Sequence, residues 1–173
     1  MLSPDPVAEG IAYRDALLAL LGNDDPVAVQ SETPERLRTI VKDAGDALRV
    51  RPEPKEWSVL ELIAHIADAE LVCAGRYRWT IAHDEPQLLG YDQDRWVDRL
   101  QANDANPDEI LALLEALRRA NIALWQRTPD EEKQRAGLHS ERGPETYEQL
   151  FLMMAGHDRF HLNQIDETLA ALR

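Results

Sequence analysis

Thr146-Tyr147-Glu148-Gln149-Leu150-Phe151-Leu152-Met153-Met154-Ala155-Gly156-His157-Asp158-Arg159-Phe160-His161-Leu162-Asn163-Gln164-Ile165 reads as one long amphipathic helix that runs on almost to the C-terminus. Tyr147, Leu150, Phe151, Met154, Ile165, Leu169 and Leu172 recur at helical spacing, which marks a stripe buried against other elements. Thr146 and Gln149 stand three apart, as the two halves of a capping box. His157 and His161 occupy core positions of this stripe, where leucine is the ordinary occupant.

Working back along the chain, three more long helices are expected. One starts at Ser58, where Ser58-Val59-Leu60-Glu61 is a capping box and Trp57 with Leu62 can form a hydrophobic staple; it reaches about His83. One starts at Asn106-Pro107-Asp108-Glu109, an N-cap, a helical proline and a boxing Glu, and its stripe is read as Ile110, Leu113, Leu114, Leu117, Leu124 and Trp125. One runs from about Pro6 to Leu21, capped by Asp5-Pro6 and ended by Gly22-Asn23-Asp24-Asp25-Pro26. A shorter helix is expected from Thr33-Pro34-Glu35 to about Leu48, and a loop or short helix anchored by Tyr91 and Trp96 in the connection 84–105. With no alternating strand pattern, these elements imply an all-α fold, a four-helix bundle with additional short helices in the connectors. At 173 residues the chain fits a single domain, 1–173.

The composition narrows the function. A formal net charge of −13, with basic residues scattered, argues against nucleic acid and anionic membranes as partners. No apolar run approaches the ~18 residues of a membrane span, and the N-terminus lacks the pattern of a signal peptide. One cysteine, Cys73, rules out an intrachain disulfide and reads as a buried core residue. A cytoplasmic location is expected.

Histidines four apart on a helix share a face with Cβ atoms ~5–6 Å apart, so His157 and His161 can converge on one ion. His65, flanked at helical spacing by Leu62, Ala69 and Val72, also faces inward and is the natural third ligand. The bland alternative is three core imidazoles satisfied by hydrogen bonds. His83 at a helix end and His139 in a polar loop read as surface positions. Asp68 and Arg76 follow His65 at helical spacing, and Gln164 borders the last helix's stripe; Glu70 and Asp158 read as parts of solvated helix faces.

Trp57-Ser58-Val59 followed by His65-Ile66-Ala67-Asp68-Ala69-Glu70 resembles a stretch of the DinB superfamily. Gly156-His157-Asp158-Arg159-Phe160-His161-Leu162-Asn163-Gln164-Ile165 resembles its C-terminal signature, and Gly90 to Trp96 and His139 to Thr146 are similar too. The agreement in order and spacing runs from about Leu37 to Ile165. The resemblance implies a four-helix bundle, often a homodimer, with a divalent metal held by His65, His157 and His161. It also implies candidate activities, a metal-dependent hydrolase or an S-transferase using a low-molecular-weight thiol, acting on a small-molecule substrate. Imidazole ligands suit zinc and nickel, and iron or manganese is compatible. Three neutral ligands would leave an open coordination position. The other class of function is a non-catalytic, metal-stabilised bundle serving as a binding or stress-related module, which would have no cleft beside the histidines. No general base is identified. From the free imidazole pKa of ~6.5, metal affinity is expected to fall steeply below about pH 6.

Overall fold

The computed structural model describes residues 8–173. The elements in chain order are α1 (Gly10–Leu21), α2 (Pro26–Ala44), a 3₁₀ turn (Gly45–Arg49), α3 (Val59–Ala82), β1 (Gln87–Leu88), α4 (Gln93–Arg99) and a second 3₁₀ turn (Ala102–Asp104). They continue with α5 (Pro107–Arg127), α6 (Asp130–Lys133), β2 (Ala136–His139), β3 (Gly143–Thr146) and α7 (Tyr147–Ala171).

Three long helices start where their signals place them. Ser58 accepts from the Glu61 N–H while the Ser58 N–H donates to the Glu61 carboxylate. Thr146 and Gln149 make the same reciprocal pair. Asn106 caps α5 and Pro107 opens it as expected, but the Asn106 side chain accepts from the Asp108 N–H rather than forming the expected box with Glu109.

The helix expected at Thr33 begins eight residues earlier, at Asp25-Pro26. Asp25 accepts from the Val27 N–H and Pro26 stands in the first turn, the same cap-plus-proline signal that opens α5. Pro34 lies inside this helix, where it leaves one carbonyl without its usual donor. So α2, with 19 residues, is a main member of the bundle rather than a connector piece. The expected Asp5-Pro6 cap lies outside the described residues.

The fold is an all-α four-helix bundle. The bundle closes as a ring in which α3 packs on α5 and α7, and α2 packs on the same two. The consecutive helices α2 and α3 thus stand on opposite corners, and the chain crosses the end of the bundle between them. α1 lies outside the ring along α7. Its approach is close enough that a Cβ on Gly156 would run into the Leu17 carbonyl, so a side chain there would push the two helices apart.

Three short strands form a small sheet in the order β1-β2-β3, with β1 parallel to β2 and β2 antiparallel to β3. The sequence reading had a loop here. The hairpin turn is closed by Gly143 at φ 76°, a conformation glycine adopts without steric cost. This hairpin leads directly into α7.

Two apolar clusters fill the interior. One gathers Leu37, Leu60, Ile63, Ile66, Leu111, Leu114, Leu162 and Ile165. The other gathers Tyr13, Leu17, Cys73, Tyr77, Tyr147, Phe151 and Met154. Along both α3 and α7 a polar layer separates them, holding His65 and Glu70 on α3 and His157, Asp158 and His161 on α7. No described helix is long and apolar enough to cross a membrane.

Candidate metal centre

α3 and α7 pack side by side, and their inward stripes meet at the polar layer. One nitrogen from each of His65, His157 and His161 lies within 4.8 Å of the others. All three rings are buried. The Nε2 atoms of His65 and His157 are 3.1 Å apart. Two nitrogens each ~2.0–2.1 Å from one tetrahedral ion would be about 3.4 Å apart, so the spacing fits a shared ion with a small adjustment.

The hydrogen bonding fits the same chemistry. His161 Nδ1 pairs with the Gln164 side-chain oxygen at 3.0 Å. An amide oxygen only accepts, so Nδ1 carries the proton and Nε2 presents a lone pair. That Nε2 is buried and has no hydrogen-bond partner. His157 Nδ1 is likewise buried without a partner, and a hydrogen-bonded core would satisfy both nitrogens.

Burial holds all three rings neutral. His65 and His157 are pushed well below the ordinary imidazole value by desolvation, and neighbouring histidines add to this. Arg118 contributes at His157. His161 is lowered to about 4 by desolvation, partly opposed by Gln164. Neutral rings are the ligating form.

Two recesses reach the trio. A groove of about 470 Å³ touches His161, Gln164, Trp57 and Phe160. A narrower cavity of about 60 Å³ reaches His65 and His157 and extends to Arg76, His139 and Arg142. The Trp57 ring lies 5.1 Å from the His65 ring, and Phe160 stands edge-on to His161.

Several individual expectations change. Glu70 and Asp158 are not on solvated faces: both are fully buried and flank the Arg118 guanidinium, at 3.0 and 2.5 Å. Gln30 accepts from Arg118, Thr33 donates to Asp158, and Asn121 donates to Glu70. The result is a polar network joining all four bundle helices beside the histidines. The stripe read on α5 was displaced by it, because the buried face is Leu111, Leu114, Arg118 and Asn121 while Leu113 is exposed. Arg118 and Asn121 were missed as functional neighbours of the site; their spacing with Leu114 was the available signal. His139 is not a surface histidine but a buried residue of β2. His83 is exposed at the end of α3, as expected. Cys73 is buried, and burial pushes its thiol up to about 11, which suits a core residue.

Several known proteins are similar to this chain. The "Putative metal-dependent hydrolase YfiT" of Bacillus subtilis is 25% identical over 150 residues, covering 83% of this chain and 82% of its own. A protein of Oceanobacillus iheyensis, "Putative metal-dependent hydrolase OB0413", is 24% identical over 115 residues, and the chain spans 65% of its length. The solved structure of Bacillus subtilis YfiT, described as having an unusual four-helix bundle topology, superposes with a TM-score of 0.80 at 24% identity, covering 86% of each chain. The sequence profile of the DinB superfamily matches residues 30–165, from the second turn of α2 to one turn beyond His161 in α7. The chain therefore belongs to the DinB superfamily.

Proposed function

We infer that His65, His157 and His161 hold one divalent metal ion and that the protein is a metal-dependent enzyme of the hydrolase type. The observation that carries this reading is the convergence of three buried, neutral imidazoles at a place that two recesses reach. A purely structural metal site is closed by its protein ligands, and the non-catalytic reading predicts no cleft here. The relatives named as metal-dependent hydrolases point the same way.

An ion bound by three neutral imidazoles would keep an open position and supply Lewis acidity and an acidified water. The chain's own residues do the rest. Gln164 fixes the His161 tautomer, while Trp57 and Phe160 limit water beside the rings. Glu70 and Asp158 are committed to Arg118 and are not available for proton handling. Asp68 remains, half-buried and with its carboxyl raised by burial, three residues beyond His65. Zinc and nickel suit the donor set, with iron and manganese compatible.

His157→Ala should abolish stoichiometric metal binding, since two ligands hold an ion poorly. Elemental analysis of untagged protein reads this directly; a variant with full metal content would end the three-histidine assignment. Hydrolysis of a panel of small esters and amides, with and without chelator, tests the activity.

The reading extends to assembly. The sequence offers Leu17, Leu18, Leu20 and Leu21, spread around the axis of α1, as a surplus of apolar residues for a dimer, but Leu17 and Leu21 are buried within this chain. An apolar patch stands elsewhere: Leu71 is 45%, Trp79 51% and Leu89 74% exposed. Such a patch favours a homodimer. Sedimentation at micromolar concentration should give about twice the 19.6 kDa chain mass, and a single monomer species would count against it. The unpaired Cys73 suits a reducing compartment such as the cytoplasm, and the mutual packing of the four helices suits a single domain.

A further inference from the structure

The narrow cavity beside His65 and His157 has a second end with different chemistry. Arg76 and His139 line it there, each only 4% exposed. The Arg76 guanidinium donates to the Leu89 carbonyl through one terminal nitrogen, but its Nε has no partner. His139 Nδ1 accepts from the Glu141 backbone N–H at 3.2 Å. That bond requires a lone pair on Nδ1, so in the neutral ring the proton sits on Nε2. His139 Nε2 is buried and also without a partner.

Two buried donors, one on a permanent cation, therefore line one cavity with no acceptor between them. An unmatched buried donor costs about 1–3 kcal/mol, so their persistence beside a recess points to an acceptor that arrives from outside. Arg142 adds positive charge but is held by Glu145 in a two-pronged ion pair. Glu141 is the one acid in the lining, and its residue is exposed. Leu17, Ala69, Met153 and Met154 supply apolar parts of the lining. At about 60 Å³ the space matches on the order of two water molecules, room for a small planar acceptor.

We propose that Arg76 and His139 form an anion subsite that takes the carboxylate of a small substrate, whose reacting bond then lies toward His65 and His157. A carboxylate offers two acceptor oxygens and no donor, matching Arg76 Nε–H and His139 Nε2–H. The proposal rests on the metal-enzyme reading for what happens at the other end of the cavity, but the subsite itself is built only from protein groups. It selects substrates that carry a carboxylate, joined through a short apolar segment to the bond that is broken.

The test is a binding titration of the whole protein with butyrate, butyramide and inorganic phosphate, followed by NMR of the arginine Nε–H and histidine ring signals. It is done on chelator-treated and on zinc-loaded protein. Butyrate should shift the Arg76 and His139 signals saturably in both forms, and butyramide should bind at least tenfold more weakly. Arg76→Gln and His139→Gln should each weaken butyrate about tenfold, with Arg76→Lys in between because it keeps charge but lacks the Nε–H. Circular dichroism checks that each variant folds, and the two sites lie on different elements so that one failure leaves the other informative. Butyrate binding that appears only with zinc and ignores both substitutions would place the carboxylate on the ion and overturn the subsite. Phosphate binding with no butyrate binding would overturn the carboxylate assignment. Butyrate binding in a protein that takes up no zinc would sustain the subsite and refute the metal-enzyme reading instead.

Discussion

Arg118→Met should destabilise the protein by about 3–5 kcal/mol, the range found when one partner of a buried ion pair is removed. Arg118 is fully buried between Glu70 and Asp158 and bonds Gln30 as well. Methionine fills much of the space but leaves two carboxylates in the interior with only Thr33 and Asn121 as donors. The loss is a large fraction of the ~5–15 kcal/mol that holds a typical domain folded. It should depend on pH in a defined direction. Desolvation already pushes the Asp158 carboxyl up to about 6, while Arg118 and Thr33 pull it down. Without Arg118 the folded Asp158 carboxyl rises further above the unfolded value of ~3.9. The folded state then binds more protons than the unfolded one, so the deficit is greatest at high pH and shrinks as pH falls toward 4. Adding Glu70→Gln and Asp158→Asn should recover part of the loss at pH 8. Urea denaturation at pH 5 and pH 8 measures all of this; a deficit below about 1 kcal/mol at pH 8 would show that the network carries no such burden.

The second large effect is acid destabilisation of the metal-free protein. In the unfolded chain the histidines titrate near ~6.5. In the folded chain His65 and His157 lie well below that, and His161 lies at about 4. Between those values the unfolded state binds more protons. The stability these neutral rings contribute is fully present above about pH 6.5 and is lost as pH falls through the folded values. For His161 alone the gap corresponds to about 3 kcal/mol at ~1.4 kcal/mol per unit. His139, lowered to about 3 by desolvation and by Arg142 and Arg76, acts in the same direction.

The same shifts move the onset of metal loss. Protons compete for the folded rings only near their own depressed values, so affinity for the folded protein should hold well below pH 6. The expectation from free imidazole is too high because it ignores desolvation. Zinc that binds only the folded state should raise the melting temperature by mass action. Melting from pH 4 to 8 with chelator and with excess zinc, together with zinc affinity by chelator competition, checks both parts. Affinity that dropped already at pH 6 would mean solvated rings. No zinc-induced rise at any pH would remove the histidines as ligands.

Much of the fold is written in local signals. Ser58 with Glu61, Thr146 with Gln149 and Asn106 with Pro107 mark helix starts that depend only on neighbours three residues away. The inward placement of His65, His157 and His161 follows from periodicity, which any amphipathic helix expresses in its own sequence. Even Arg76 was legible as lying on nearly the face of His65. The misread start of α2 had a local cause too, because Asp25-Pro26 closes one helix and opens the next, and one dipeptide carried both meanings.

The rest is decided between elements. Hydrophobic patterning treats a charged residue as exposed, and that rule fails wherever a partner from another helix arrives to compensate it. Glu70, Asp158, Arg118 and Asn121 look solvated one helix at a time and become an interior only when four helices meet. His139 reads as a loop residue until β2 pairs with β3 and carries it to the cavity that Arg76 also lines. Periodicity could bring the three histidines to one side of their helices, but the two recesses that reach them exist only as gaps between packed elements. The sequence by itself determined where three long helices start and that the three histidines face inward, because caps and periodicity are local; the packing decided which charged residues join them inside and which of their atoms find partners, because those partners come from other elements.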